Sequence, residues 1–317
     1  MTPPHLHPAP ASPVPGLFEV VLASAALTAV AGYLLAAARL RRRGDAWPRA
    51  RDAAFTTGGT ALAAAVTLTL PGGPFTAHMA QHLVVGMAAP LLLVLARPLT
   101  LLLRTVGPGP ARRGLLAVAR SRSAAWLVFP PLAALLDVGG LWVLYRTPLL
   151  AATHHRPVLH ALVHTHVLAA GLLFSFAVCR LDPLRHRWST AWRGTTLLAA
   201  GAAHAVLAKT LYLTPPPGTA FGLTDLHTGA KLMYYGGDLV ELALAAALAV
   251  QWYTSTGRAW ARDRARTGAG AGTGTPARTR RPASPPRPPL REPLTHADRF
   301  TPADGRARAQ QGLSADG

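Results

Sequence analysis

The chain has 317 residues, half of them apolar and only 14% charged, with a net charge of +19 and a mean hydropathy of +0.25. A soluble domain of this length carries about a quarter charged residues, so the composition excludes an ordinary soluble fold. The charge does not mark a nucleic-acid partner either, because the arginines sit between apolar runs and no helix-turn-helix, zinc finger or aromatic-basic face occurs.

An apolar run of about 18 or more residues can cross a bilayer core. Seven follow one another: 17–38, 53–70, 77–96, 124–144, 158–179, 194–213 and 230–253. The predicted fold is therefore all-α: a polytopic membrane protein whose seven-transmembrane helix bundle occupies 17–253. A short segment, 1–16, precedes it and a basic tail, 254–317, follows. Lys and Arg number 0 before the first span, then 6, 0, 6, 2, 4 and 0 in the successive loops. Basic loops stay in the cytoplasm, which places the N-terminus outside and the C-terminus in the cytoplasm.

The first run lacks a basic n-region and is followed by "RLRRRG", so it reads as a span rather than a cleaved signal. Pro90 and the pair Pro130-Pro131 should kink their helices. The tail, with "TGAGAGTGTPARTRRPASPPRPP", cannot bury a core and reads as disordered. Its charge would favour an anionic inner leaflet. The single cysteine, Cys179, excludes an intrachain disulfide and a CxxC metal or redox motif.

Titratable groups inside a span are costly and suggest function by default. The third span begins with His78 and His82, four residues apart and so on one face. The fifth repeats the spacing with His160 and His164, while His166 faces away from that pair. Given the predicted orientation, both pairs lie in the outer half of the membrane, with Met79 and Met233 at a similar depth. His204 and Lys209 lie in the sixth span, Asp137 in the fourth, and Lys231, Asp238 and Glu241 in the seventh. Asp225 and His227 lie in the outer loop.

Paired imidazoles with thioethers nearby suit copper, the thioether favouring Cu(I). The candidate ligands are His78, His82, His160 and His164, with Met79 and Met233 as soft partners. Asp225 and Asp238 could accept a ring's second N–H and orient it. The bland alternative is that the histidines are interfacial, the methionines fill the core, and the buried charges are ion pairs that fix helix packing.

"HMAQHLVVGMAAPLLLVLARPL", "HVLAAGLLFSFAVCRLDPLRHR" and "DLHTGAKLMYYGGDLVEL", in a seven-span layout, resemble the integral-membrane CtaG family of cytochrome c oxidase assembly factors, the multi-span type associated with caa-type oxidases. The resemblance covers about residues 15–255. It implies a non-enzymatic role in maturing a haem–copper oxidase, near the insertion of copper into a subunit. It also implies a bacterial plasma-membrane location, with oxidase subunits and the lipid bilayer as partners and no nucleic acid. His78 and His82 carry over directly from the matching span, and Asp225 and Gly237 match less specifically.

Two other functions fit some of the residues. Facing histidines could hold b-type haem, and the intramembrane Asp238, Glu241 and Lys209 could line a copper or cation path. A transport path needs polar groups at both depths, and the inner halves of the spans lack them. Lys231 lies at the outer mouth, which argues against a retinal Schiff base. No GxSxG, HExxH or phosphate-binding loop occurs.

Overall fold

The computed structural model describes residues 15–182 and 188–271, and these are helical with no strand among them. The helices run in chain order from α1 (Leu17–Arg42), α2 (Arg49–Thr67) and α3 (Pro74–His82) to α4 (Ala89–Leu95), α5 (Pro98–Thr105) and α6 (Pro110–Ala119). There follow α7 (Arg122–Leu127), α8 (Pro130–Ala134), α9 (Gly140–Arg146), α10 (Leu149–Thr153), α11 (Pro157–Cys179), α12 (Thr190–Leu213) and α13 (Leu223–Ala271). Two π-helical stretches, Leu83–Ala88 and Leu135–Gly139, join α3 to α4 and α8 to α9.

Five helices are long and apolar enough to cross a membrane: Leu17–Arg42, Pro74–Thr105, Pro157–Cys179, Thr190–Leu213 and Leu223–Arg258. The chain is a multi-pass membrane protein. Two of the seven predicted spans do not meet that measure. The run 53–70 falls in α2, which is a single helix but opens with Arg49, Arg51 and Asp52 and contains "TTGGT". The run 124–144 is broken into pieces. Pro130 and Pro131 cannot donate to the preceding turn, the helix stops at Leu127, and the chain resumes through α8, the second π-stretch and α9.

The chain divides into two units, Met1–Asp263 and Arg264–Gly317. The first holds every helix around the site. In the second, residues 264–271 are helical as the end of α13. The boundary predicted at 253 is thus passed by the helix, and the rest of the predicted tail lies outside the described residues, as do residues 1–14.

Two π-helical stretches interrupt α-helical bonding beside the site. Pro90 has no N–H for the carbonyl of Gly86, four residues earlier, and the first π-stretch occupies this turn. Such stretches widen a helix locally and recur at functional sites. Gly171 of α11 packs against the Gly86 carbonyl so closely that a Cβ there would collide with it. The second π-stretch leaves the Leu136 carbonyl to His166, whose Nε2 lies 3.1 Å away.

Core packing joins both ends of the bundle. Phe75, Met79, Tyr145, Leu207, Leu211, Leu226 and Met233 form one buried cluster around the start of α3. Val94, Phe174, Val178, Cys179, Leu197 and Leu244 form another towards the ends of α4 and α11.

Candidate functional site

The start of α3 is fixed from a distance. Pro74 sits in its first turn, where a missing N–H leaves no bond unmade. Asp225, from the first turn of α13, accepts from the backbone N–H groups of Phe75 and Thr76 at 2.8 and 2.9 Å and from the Thr76 hydroxyl at 2.6 Å. Its carboxylate thereby takes two of the helix's unpaired donors and faces the positive end of the helix dipole. Gly73 is small because the carboxylate stands where a Cβ would go. Asp225 positions the helix that carries His78 and His82, and it does so through the backbone.

From that start, His78 falls one turn into α3 and His82 two turns in. His78 Nε2 lies 3.1 Å from the hydroxyl of Tyr145, a fully buried residue of α9. His82 is only 6% exposed, and its Nε2 has no hydrogen-bond partner. Both rings meet Tyr145 edge-on, at centroid separations of 5.9 and 6.1 Å. His78, His82 and His164 line one small cavity of about 20 Å³, closed by Gln81, Val85, Leu144, Tyr145, Val163 and Val167. That is space for about one water molecule.

The second pair shares its face as the spacing requires. The His160 and His164 rings lie 4.1 Å apart, and Phe18 of α1 packs edge-on against both. The pair divides its tasks. His164 turns to the cavity, while His160 Nε2 lies 3.2 Å from the Glu19 carboxylate of α1. Three of the four candidate histidines therefore line one cavity, and the fourth packs against one of them. Among the described residues, no three His, Cys, Asp or Glu side chains are grouped so as to hold a metal ion.

The methionines pack rather than point into this cavity. Met79 and Met233 are fully buried in the apolar cluster with Phe75 and Leu211. Asp238 is half-buried on α13, beside Gly237 and three residues before Glu241. His227 stacks on Tyr212 at 4.0 Å, and Lys231 lies over the same ring. His154, in the segment between α10 and α11, is held below its usual pKa, chiefly by burial and then by His155 and His160.

One residue outside the predicted ligand set belongs in this account. His204, at the centre of α12, is only 2% exposed and its ring centroid is 6.3 Å from that of His82. The signal for it was present in the sequence, as a histidine in the middle of an apolar span. What the sequence lacked was the adjacency of α12 and α3.

A family model for the cytochrome c oxidase caa3 assembly factor (Caa3_CtaG) matches residues 31–255. Uncharacterized proteins of Mycobacterium bovis and Mycobacterium tuberculosis are each 29% identical over 267 residues, which is 78% of this chain and 40% of theirs. One of Mycobacterium leprae is 29% identical over 257 residues, 74% of this chain and 39% of its own. The chain thus spans about two fifths of the length of the curated relatives it matches. No solved structure matches it.

Proposed function

The chain belongs to the cytochrome c oxidase caa3 assembly factor family, and from that premise we propose that it matures a haem–copper oxidase by holding copper transiently as cargo at its histidine-lined cavity. It performs no catalysis of its own. The observation that carries this reading is the convergence of His78, His82 and His164 from two helices on a space of about 20 Å³. Imidazole nitrogens suit copper in either oxidation state. His160, with its ring 4.1 Å from that of His164 and its Nε2 3.2 Å from the Glu19 carboxylate, stands beside the cavity residue His164. Met79 and Met233 serve as packing for α3 and α13.

The same reading takes the bundle as seven crossings of the bacterial plasma membrane, with the N-terminus outside. The alternation of basic loops supports it, and α2 and the broken segment from α7 to α9 supply the two less apolar crossings. The histidine end then faces outward, where an oxidase subunit would receive copper.

The test is complementation of a strain lacking this chain, read as oxidase activity and as the a-type haem band of its membranes. Loss of activity with the oxidase polypeptides still made is the expected result. Restoration by the wild type but not by the triple variant His78→Ala, His82→Ala, His164→Ala is expected next. Full restoration by the triple variant would overturn the assignment of the cavity.

A further inference from the structure

Beyond the cavity, a buried polar cluster joins α3, α12 and α13. His82 Nε2 and both ring nitrogens of His204 are buried without a hydrogen-bond partner. A buried polar atom without a partner loses its solvation with nothing in return, and here His82 Nε2 and His204 Nε2 are such atoms on two neighbouring rings, while His204 Nδ1 has only the Glu241 carboxylate near it. The rings are 6.3 Å apart centre to centre and inclined by 38°. A metal–imidazole bond of about 2 Å, with roughly 1 Å more from nitrogen to ring centre on each side, would separate two rings sharing one ion by about 6 Å.

The surrounding backbone makes room for these groups. A Cβ at Gly237 would collide with the His204 ring, and one at Gly201 with the Glu241 carboxylate. One at Gly86 would press on the His82 ring, 3.2 Å from its Cε1. Glycine in a helix interior is unfavourable relative to alanine, so three glycines facing three polar side chains form a fitted recess. Glu241 Oε1 lies 3.4 Å from His204 Nδ1, within ion-pair reach. That contact fixes which nitrogen of His204 remains for another partner.

We propose that His82 and His204 form a two-imidazole site for a soft monovalent ion, Cu(I), with Glu241 as a positioning residue that orients His204. Two donors satisfy a closed-shell monovalent ion, whereas Zn²⁺ requires about four. His82 belongs to both this pair and the cavity wall, so an ion entering among His78, His82 and His164 passes to the His82–His204 pair by changing partners around one shared ligand. This deepens the copper reading of the cavity and rests on it.

The experiment is anaerobic titration of the purified full chain in detergent with Cu(I) against a chromophoric chelator, joined to X-ray absorption of the loaded wild type. His204→Gln should weaken binding by more than the roughly 10–100-fold typical of losing a group that only orients a ligand. His204→Met, which restores a soft donor, should recover most of that loss. His227→Ala should titrate as the wild type. The absorption spectrum should show nitrogen neighbours and no sulfur.

Wild-type affinity in His204→Gln, or sulfur in the first shell, would overturn the two-imidazole site. If His204→Gln binds normally while the His78, His82, His164 triple variant does not, this inference falls and the cavity assignment stands. If the wild type takes up no Cu(I) although the deletion strain lacks oxidase, both copper assignments fall and the assembly role survives. Should His204→Gln fail to fold, the wild-type spectrum alone decides.

Discussion

At the arginine-rich end of the bundle, Asp182 accepts from the Thr100 backbone N–H at 2.8 Å and from its hydroxyl, capping α5. At the histidine-rich end, Asp225 does the same for α3. Both capped helices begin with proline, Pro98 and Pro74, and both carboxylates come from far along the chain. The ends differ in what is left over.

Near Asp182, Arg41 pairs with Asp52 at 2.7 Å, Arg104 with Asp45 at 2.9 Å, and the Tyr33 hydroxyl donates to the Ala96 carbonyl. The buried guanidinium of Arg193 donates to the Val178 carbonyl and to Gln251. Single atoms of Asp52, Asp182, Arg193 and Gln251 have no partner, but each of these residues is bonded through another atom; the exception is Trp47, whose buried Nε1 has no hydrogen-bond partner, although the Arg51 guanidinium lies over its ring. His204 has neither ring nitrogen hydrogen-bonded, and its Nδ1 has only the Glu241 carboxylate, 3.4 Å away. The arginine end thus leaves one side chain, Trp47, without a hydrogen bond, whereas the histidine end leaves two neighbouring rings, His82 and His204.

The comparison breaks most completely at the close approach between the two halves, where Gly171 meets the Gly86 carbonyl. Gly171→Ala places a methyl group against backbone that cannot step aside. Overpacking a core usually costs about 1–3 kcal/mol, and the upper end is expected because the obstacle is main chain. The measurement is apparent Tm in detergent, with expression as a second reading. An unchanged Tm would mean that α11 and the first π-stretch are looser than their contact implies.

The two caps give a sharper comparison with a smaller effect. Asp225→Ala and Asp182→Ala each remove bonds to a helix N-terminus, a loss of about 1–2 kcal/mol. Stability should fall similarly in both. Copper affinity should fall only in Asp225→Ala, because α3 carries His78 and His82 while α5 carries no candidate ligand. Equal losses of affinity in the two variants would show that the caps act on the whole bundle rather than on the helix each one holds.

These caps also show where sequence reading reached its limit. The five long apolar helices, the shared face of His160 and His164, and the interruptions of α-helical bonding near Pro90 and Pro130 follow from local spacing and local chemistry. The partners of Asp225 lie about 150 residues away, so its role as a cap could not be read from "TDLHTGAKLM". The neighbourhood of His82 and His204 depends on which helices touch, and apolar spans carry little information about that, since their lipid-facing and helix-facing residues are alike. The end of α13 was hidden for a different reason. Its alanines and arginines are good helix formers, but interspersed glycines and threonines make the same stretch resemble a linker.

The smallest effect has the opposite sign and belongs to the arginine end. Arg97 joins α4 to α5 with φ at 55°, a left-handed conformation. For a residue with a Cβ this conformation costs about 1–2 kcal/mol, and glycine adopts it freely. Glycine also loses more freedom on folding, about 0.4–1 kcal/mol, so Arg97→Gly should stabilise the chain by roughly half a kcal/mol. Five other basic residues remain between the third and fourth predicted spans, so topology should be kept. A small rise in Tm with unchanged Cu(I) binding is the expected outcome. A fall in Tm would mean that the Arg97 side chain contributes more than its strained backbone costs, and a loss of copper binding would show that the two ends are coupled through α4.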